Sequence, residues 1–155
     1  MIALIQRVTR ASVSVDARTL GEIERGILAL IGVRRGDEPG QAARLLERIL
    51  TYRIFPDDAG RMNRSVVDVR GGLLLVPQFT LAADTQKGTR AGFSAAAEPE
   101  VAEGLFETLV TLARERHPDV QAGAFGAHMQ VSLVNDGPVT DRKSTRLNSS
   151  HPYRS

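Results

Sequence analysis

The 155-residue chain contains no cysteine and no tryptophan, and its aromatic share is only 5%. Without cysteine, neither a disulfide framework nor thiolate-held metal can organise the fold. No apolar run approaches the length of a membrane-spanning helix, and no basic-then-apolar leader opens the sequence. These features point to the cytoplasm. Common catalytic signatures are missing too: no G-x-S-x-G, no G-x-x-x-x-G-K-[ST], no G-x-G-x-x-G and no H-E-x-x-H.

The formal net charge is +2, but it is unevenly placed. Residues 141–155 carry Arg142, Lys143, Arg146 and Arg154 against Asp141, a net of +3. The first 140 residues hold 16 basic and 17 acidic side chains, a net of −1. Overall charge therefore gives no support for nucleic-acid binding, which must rest on local groups. Leu147 is the only aliphatic residue of 141–155, which has neither alternation nor helical period. It reads as a disordered, foreign extension on a domain of residues 1–140. A basic RNA-binding arm is the weaker reading, because its charges are sparse and not interleaved with aromatics.

Periodicity predicts strands over 2–8, 11–16 and 21–25, and a strand buried on both faces over 27–31. Asp37 is the expected cap of a helix whose first turn holds Pro39. Ala42, Leu45, Leu46 and Ile49 form its apolar stripe. Residues 52–55 suggest a strand, 56–60 a turn, and 73–76 a second buried strand. A second helix starts near Pro99, turns Val101, Leu105, Leu109 and Leu112 inward, and stops before Pro118. Met129, Val131 and Leu133 alternate in a late strand. The count gives a single mixed α/β domain, strand-rich, with two main helices packed on sheet.

Few titratable residues suggest catalysis. His117 at a helix end reads as a complement to the helix dipole. His128 reads as a surface or turn residue, and His151 lies in the tail. Asp57 and Asp58 belong to a turn; Glu22 and Glu24 share an exposed strand face. Two segments are harder to explain as structure alone. Val76-Pro77-Gln78-Phe79-Thr80-Leu81 and Asn135-Asp136-Gly137-Pro138-Val139-Thr140 both follow apolar strands, where α/β proteins often place ligands. Taken singly, the first is a strand end and the second a turn.

Taken together they resemble the paired S-Q-F-T-L and N-x-G-P-V-T motifs of D-aminoacyl-tRNA deacylases. The similarity extends to MIALIQRVTRASVSV, to Tyr52-Arg53-Ile54-Phe55, to Ala82-Ala83-Asp84-Thr85, to Gly88-Thr89-Arg90 with Phe93-Ser94, and to Met129 with VSLVNDGPVT. It covers residues 1–140 in order. Two departures stand out: Pro77 replaces the family's serine, and Asp141-Arg142-Lys143 replaces a closing apolar strand.

The resemblance implies a layered β/β/α fold with barrel-like sheets, and a homodimer with sites near the subunit interface. It implies hydrolysis of the ester joining a D-amino acid to the 3′ end of tRNA, and of glycyl-tRNA as well. It assigns catalysis to Gln78, Phe79 and Thr80: the Phe79 N–H as oxyanion donor, Gln78 orienting the ligand, and Thr80 as a positioning residue. Gly137 and Pro138, joined by a cis bond, would line the partner's pocket and exclude L side chains, with Met129 and Asn135 as substrate-binding companions. Arg7 is a candidate tRNA backbone contact, although an ordinary solvated arginine is the plainer reading. Neither a metal nor an organic cofactor is implied, nor is DNA or a membrane. Two rivals stay open: a binding module without turnover, and an editing domain acting on an L-amino acid.

Overall fold

The computed structural model describes residues 1–82 and 95–145. The Ala83-Asp84-Thr85, Gly88-Thr89-Arg90 and Phe93-Ser94 matches, and residues 146–155, lie outside the described residues.

The chain runs β1 (Ile2–Val15), β2 (Arg18–Ile23), β3 (Gly26–Gly32), α1 (Pro39–Thr51), β4 (Phe55–Pro56), β5 (Met62–Arg64), β6 (Gly72–Pro77), a short 3-10 turn (Phe79–Ala82), α2 (Pro99–Arg116), β7 (Val120–Ala122) and β8 (Gln130–Ser144). A mixed, strand-rich α/β domain with two helices results, as the periodicity predicts. The two strands expected before residue 17 are one long strand. That length lets β1 pair with β3 through residues 2–8, with β2 through 11–15, and with β8 along the other edge.

β3, β6 and β7 run parallel, and the two helices supply the crossovers that parallel pairing requires. Alternation divides the apolar residues of these strands between two cores. Ile27, Ala29, Ile31, Leu73 and Leu75 face α1 and α2; Leu28, Leu74 and Val76 face the opposite side with Val8, Val13 and Ile23. Both central strands are thus covered on both faces, which explains their unbroken apolar runs. The sheet curls until β2 approaches β7. A Cβ placed on Gly21 would stand 2.9 Å from Gln121 Cβ. At the start of β3 and β6 the backbones meet so closely that a Cβ on Gly26 would lie 2.0 Å from Gly72 O.

The structure departs from the periodicity at several points. Asp37 does not cap α1; Glu38 does, with Gln41 returning a side-chain bond to its N–H. Asp37 is instead buried against the chain's amino terminus. Residues 52–54 are not strand, and only Phe55–Pro56 pairs, with β5. On α2, Val101 is 49% exposed, and the inward stripe is Ala102, Leu105, Phe106, Leu109, Val110 and Ala113. His117 is more than a dipole partner. It is buried, and its Nε2 lies 2.7 Å from Gly71 O.

The largest correction concerns the end of the domain. Order does not stop at Thr140, because β8 continues through Asp141-Arg142-Lys143 to Ser144, opposite Ile5 to Ile2. Backbone pairing with β1 is indifferent to side-chain polarity. Buried Asp141 accepts a hydrogen bond from the Tyr52 hydroxyl and an ion pair from Lys143 at 3.3 Å. Lys143 also sits over the Tyr52 ring at 3.8 Å. Burial first, then the bond to Asp141, pushes the Tyr52 phenol up to about 12. A polar cluster therefore does here what an apolar strand end was expected to do.

Candidate active site

Pro77 ends β6 at a point where its missing N–H costs nothing. Gln78 N–H turns toward β3 and donates to Ile31 O at 2.7 Å. By alternation Pro77 faces the β7 side, where pairing has already stopped at Leu75 and Ala122. The strand then bends into the 3-10 turn, closed by Leu81 N–H to Gln78 O at 3.2 Å. This bend leaves the Phe79 side chain 58% exposed, an unusual position for a large apolar ring. The Gln78 side-chain amide donates to Thr80 Oγ1, tying the two polar side chains of the motif together.

Pro77, Gln78 and Phe79 form one wall of a cleft of about 680 Å³. Phe125, His128 and Met129 also line it, as do Pro99 and Ala102 at the start of α2. Apolar lining with a few polar groups is the ordinary composition of a small-molecule site. Thr80 is exposed and braces Gln78 from outside the lining. Phe125 and Arg35, which also border the cleft, were not legible in the sequence. Only the glycines around Phe125 hinted at a bend there. His128 is exposed as expected, and it borders the cleft. Among the described residues, no three His, Asp or Glu side chains gather in a way that would hold a metal ion.

The second motif is built differently. On β8, Asn135 pairs with Val8 and Thr140 with Gln6, so the four residues 136–139 bulge out opposite the single residue Arg7. The Gly137–Pro138 peptide is cis, and Gly137 has φ +143°. A Cβ there would meet Val139 Cγ2 at 2.7 Å and Val139 N at 2.9 Å, so only glycine fits. Asn135 spans the base of the bulge, accepting from Val139 N–H at 2.7 Å and donating to Thr140 Oγ1 at 2.8 Å. Arg7 braces its flank, donating from Nε to Asp136 O at 2.9 Å and from Nη1 to Ile54 O at 2.6 Å. The Arg7 side chain is 13% exposed, which corrects its reading as a solvated strand residue.

Within one copy the two motifs do not meet. Gln78 lies beside Ile31 at one end of β1, whereas the bulge stands opposite Arg7, across three strand spacings. Strand geometry puts them roughly 20 Å apart. Gln78, Phe79 and Met129 are gathered at the cleft; Asn135, Gly137 and Pro138 are gathered on the projecting bulge.

A family model described as D-Tyr-tRNA(Tyr) deacylase matches residues 4–142. A D-aminoacyl-tRNA deacylase of Thioalkalivibrio sulfidiphilus (strain HL-EbGR7) is 67% identical over 140 residues, covering 90% of this chain and 94% of that one. One from Xanthomonas oryzae pv. oryzae (strain MAFF 311018) is 64% identical over 141 residues, covering 90% and 97%. Among solved structures, one described as a c-Myc DNA unwinding element binding protein superposes with a TM-score of 0.90 at 37% identity, covering 95% of this chain and all of that one. Another, described as a probable eukaryotic D-amino acid tRNA deacylase, gives 0.77 at 15% identity over 92% and 97%, a likeness of fold alone. No helix among the described residues is long and apolar enough to cross a membrane.

Proposed function

The chain belongs to the D-Tyr-tRNA(Tyr) deacylase family and hydrolyses D-aminoacyl-tRNA, and from that premise we propose how its two motifs divide the work. The match over residues 4–142 carries the activity. The geometry of the two motifs supports the division.

The working unit is a homodimer in which the bulge of one copy reaches the cleft of the other. The separation of the motifs within one copy supports this reading, as does the exposure of β8, where Val134 is 41% accessible. In the cleft, water attacks the ester carbonyl carbon, assisted by the ribose 2′-hydroxyl of the substrate. Charge develops on the carbonyl oxygen and is met by the backbone N–H of Phe79. The C–O bond to the ribose then breaks, and the sugar oxygen takes a proton, leaving tRNA and a D-amino acid. Gln78 orients the ester, and Thr80 holds Gln78. A nucleophilic Thr80 is disfavoured because its oxygen accepts the Gln78 amide instead of facing a base.

Chirality is read by exclusion. Carbonyl oxygens of the partner's Gly137 and Pro138 stand at the α-carbon, so an L side chain meets backbone and a D side chain points away. Glycine has no side chain to exclude, so glycyl-tRNA is also cleaved. Met129 packs against the acyl end, and Asn135 keeps the bulge in shape. Contacts to tRNA fall on phosphate and the unpaired 3′ end, with little dependence on tRNA identity, and the reaction takes place in the cytoplasm.

The test is deacylation of D-tyrosyl-tRNA beside L-tyrosyl-tRNA, by this chain and by a Gly137→Ala, Pro138→Ala double variant. Cleavage of the D ester alone, with discrimination or rate lost in a folded variant, is the expected outcome. A folded parent that cleaves neither ester refutes the reading and leaves a binding module. One that cleaves the L ester alone identifies an editing domain.

A further inference from the structure

The hairpin of β4 and β5 takes no part in the hydrolysis, yet it is fastened to the selecting bulge. One guanidinium joins the two. Arg7 Nε donates to Asp136 O on the bulge at 2.9 Å. Its Nη1 donates to Ile54 O, just ahead of β4, at 2.6 Å and lies 3.8 Å from Met62 Sδ on β5. Arg7 Nη2 stands 3.2 Å from the position a Cβ on Gly137 would take. Bulge and hairpin therefore share one face.

The tip of the hairpin is held by its own acid. Asp57 accepts from the N–H groups of Ala59 and Arg61 and from Asn63 Nδ2, each at 2.9 Å. The Asn63 bond first, then the backbone donors, holds the Asp57 carboxyl below the usual carboxylate range. Arg64 pairs with Asp58 at 3.1 Å. Arg61 is exposed, and among the described residues no acid engages its guanidinium. Met62, the next residue, is 53% exposed. The tip thus presents a cation without a counter-charge beside an exposed apolar side chain. That pairing suits single-stranded RNA, which offers phosphate to the one and sugar or base surface to the other.

We propose that the hairpin of one copy accompanies its bulge to the partner's cleft, where Arg61 binds a phosphate of the single-stranded 3′ end next to the ester. The proposal rests on the divided-site reading above, in which the bulge meets the aminoacyl end. Arg61 directly precedes the residue that touches Arg7, so its guanidinium stays close to the bulge. The contact carries no sequence information and adds affinity that weakens with salt. One copy then supplies both chiral selection and a grip on the RNA, and the other supplies the chemistry.

Two measurements on the full chain test it. The probe of the first is uncharged tRNA, which has no ester, with binding followed by fluorescence anisotropy across a series of potassium chloride concentrations. Arg61→Gln should weaken binding roughly fivefold and reduce the slope of log Kd against log salt by about 0.7, the share of one phosphate on a single strand. Arg61→Lys should keep both near the parent. Unchanged affinity and slope in Arg61→Gln overturn the inference and leave the hydrolysis reading standing. A parent that binds no tRNA also overturns the inference, and if it cleaves no ester the hydrolysis reading falls with it. The second measurement asks which copy supplies the arginine. Phe79→Pro copies are mixed with copies carrying Gly137→Ala and Pro138→Ala, so that the intact site joins the second variant's cleft to the first variant's bulge and hairpin. Adding Arg61→Gln to the Phe79→Pro copy should raise KM for D-tyrosyl-tRNA roughly fivefold while kcat changes by less than about twofold. Adding it to the other copy should change neither. No effect from either copy, an equal effect from both, or an effect from the other copy alone overturns the inference.

Discussion

Two segments that look alike in sequence end in opposite surroundings. Gln78-Phe79-Thr80 follows a strand buried on both faces, and its Gln78 and Phe79 line a cleft together with the start of α2 and the residues before β8. Asn135 to Thr140 follows a strand whose residues 130–140 include none that is fully buried, and it projects as a bulge. The first lines a cleft and is tied to β3 through Gln78; the second is braced by its own Asn135 and by Arg7. A rigid, projecting segment that touches nothing of the cleft is suited to meet another molecule. The difference fits the proposed division of the site into a chemical half and a selecting half supplied by different copies.

Substitutions aimed at each half should separate them. The largest effect is expected at the cleft motif. Phe79→Pro removes the proposed oxyanion donor at the first position of the 3-10 turn and should lower kcat by about 10²–10³-fold. Single-turnover deacylation of D-tyrosyl-tRNA measures it, and a loss under about threefold would place the oxyanion elsewhere. On the bulge, Gly137→Ala drives a Cβ into Val139 and should lower the D-over-L preference by roughly tenfold or more. A folded variant that keeps full preference would remove the bulge from chiral selection. Val134→Glu places a charge on the exposed face of β8. It should convert the proposed dimer to monomer in sedimentation at a stability cost within about 0.5 kcal/mol, with activity falling in step with dissociation.

Smaller effects refine the division. Thr80→Val should slow the reaction by about tenfold, because it loses only the brace on Gln78. A fall near roughly 10⁴-fold would make Thr80 the nucleophile instead. The smallest effect concerns the tie between the end of β8 and Tyr52. A phenol whose folded pKa, about 12, exceeds its unfolded value of 10.0 holds its proton more tightly in the folded state. Its contribution is complete below pH 10 and is lost as pH rises through about 12. Denaturant midpoints should therefore decline across that window, and Tyr52→Phe should flatten the decline.

The same contrast explains what was legible in the sequence. The cleft half is made of local patterns. The apolar runs 27–31 and 73–76 announce strands covered on both sides, and the helix stripes announce what covers them. What escaped depends on pairing between distant segments. The single length of β1 is set by three partners, and the course of β8 past Thr140 is set by the β1 backbone, despite its charged residues. Asp37 looked like a cap because it precedes Pro39, but the buried ammonium of Met1 competes for the same carboxylate. The motif residues themselves were found through resemblance. Nothing in the types Gln, Phe and Thr, or in a Gly–Pro turn, declares chemistry alone.

On the proposed division, each site takes its cleft from one copy and its selecting bulge from the other. The direct test mixes two folded variants, one disabled in the cleft by Phe79→Pro and one disabled on the bulge by Gly137→Ala with Pro138→Ala. After subunit exchange at equal concentrations, half the dimers are mixed and each mixed dimer holds one site with both halves intact. D-selective deacylation should therefore return to about a quarter of the parent rate. If the mixture is no more active or selective than the sum of its two components, both halves belong to the same copy, and the divided site is wrong.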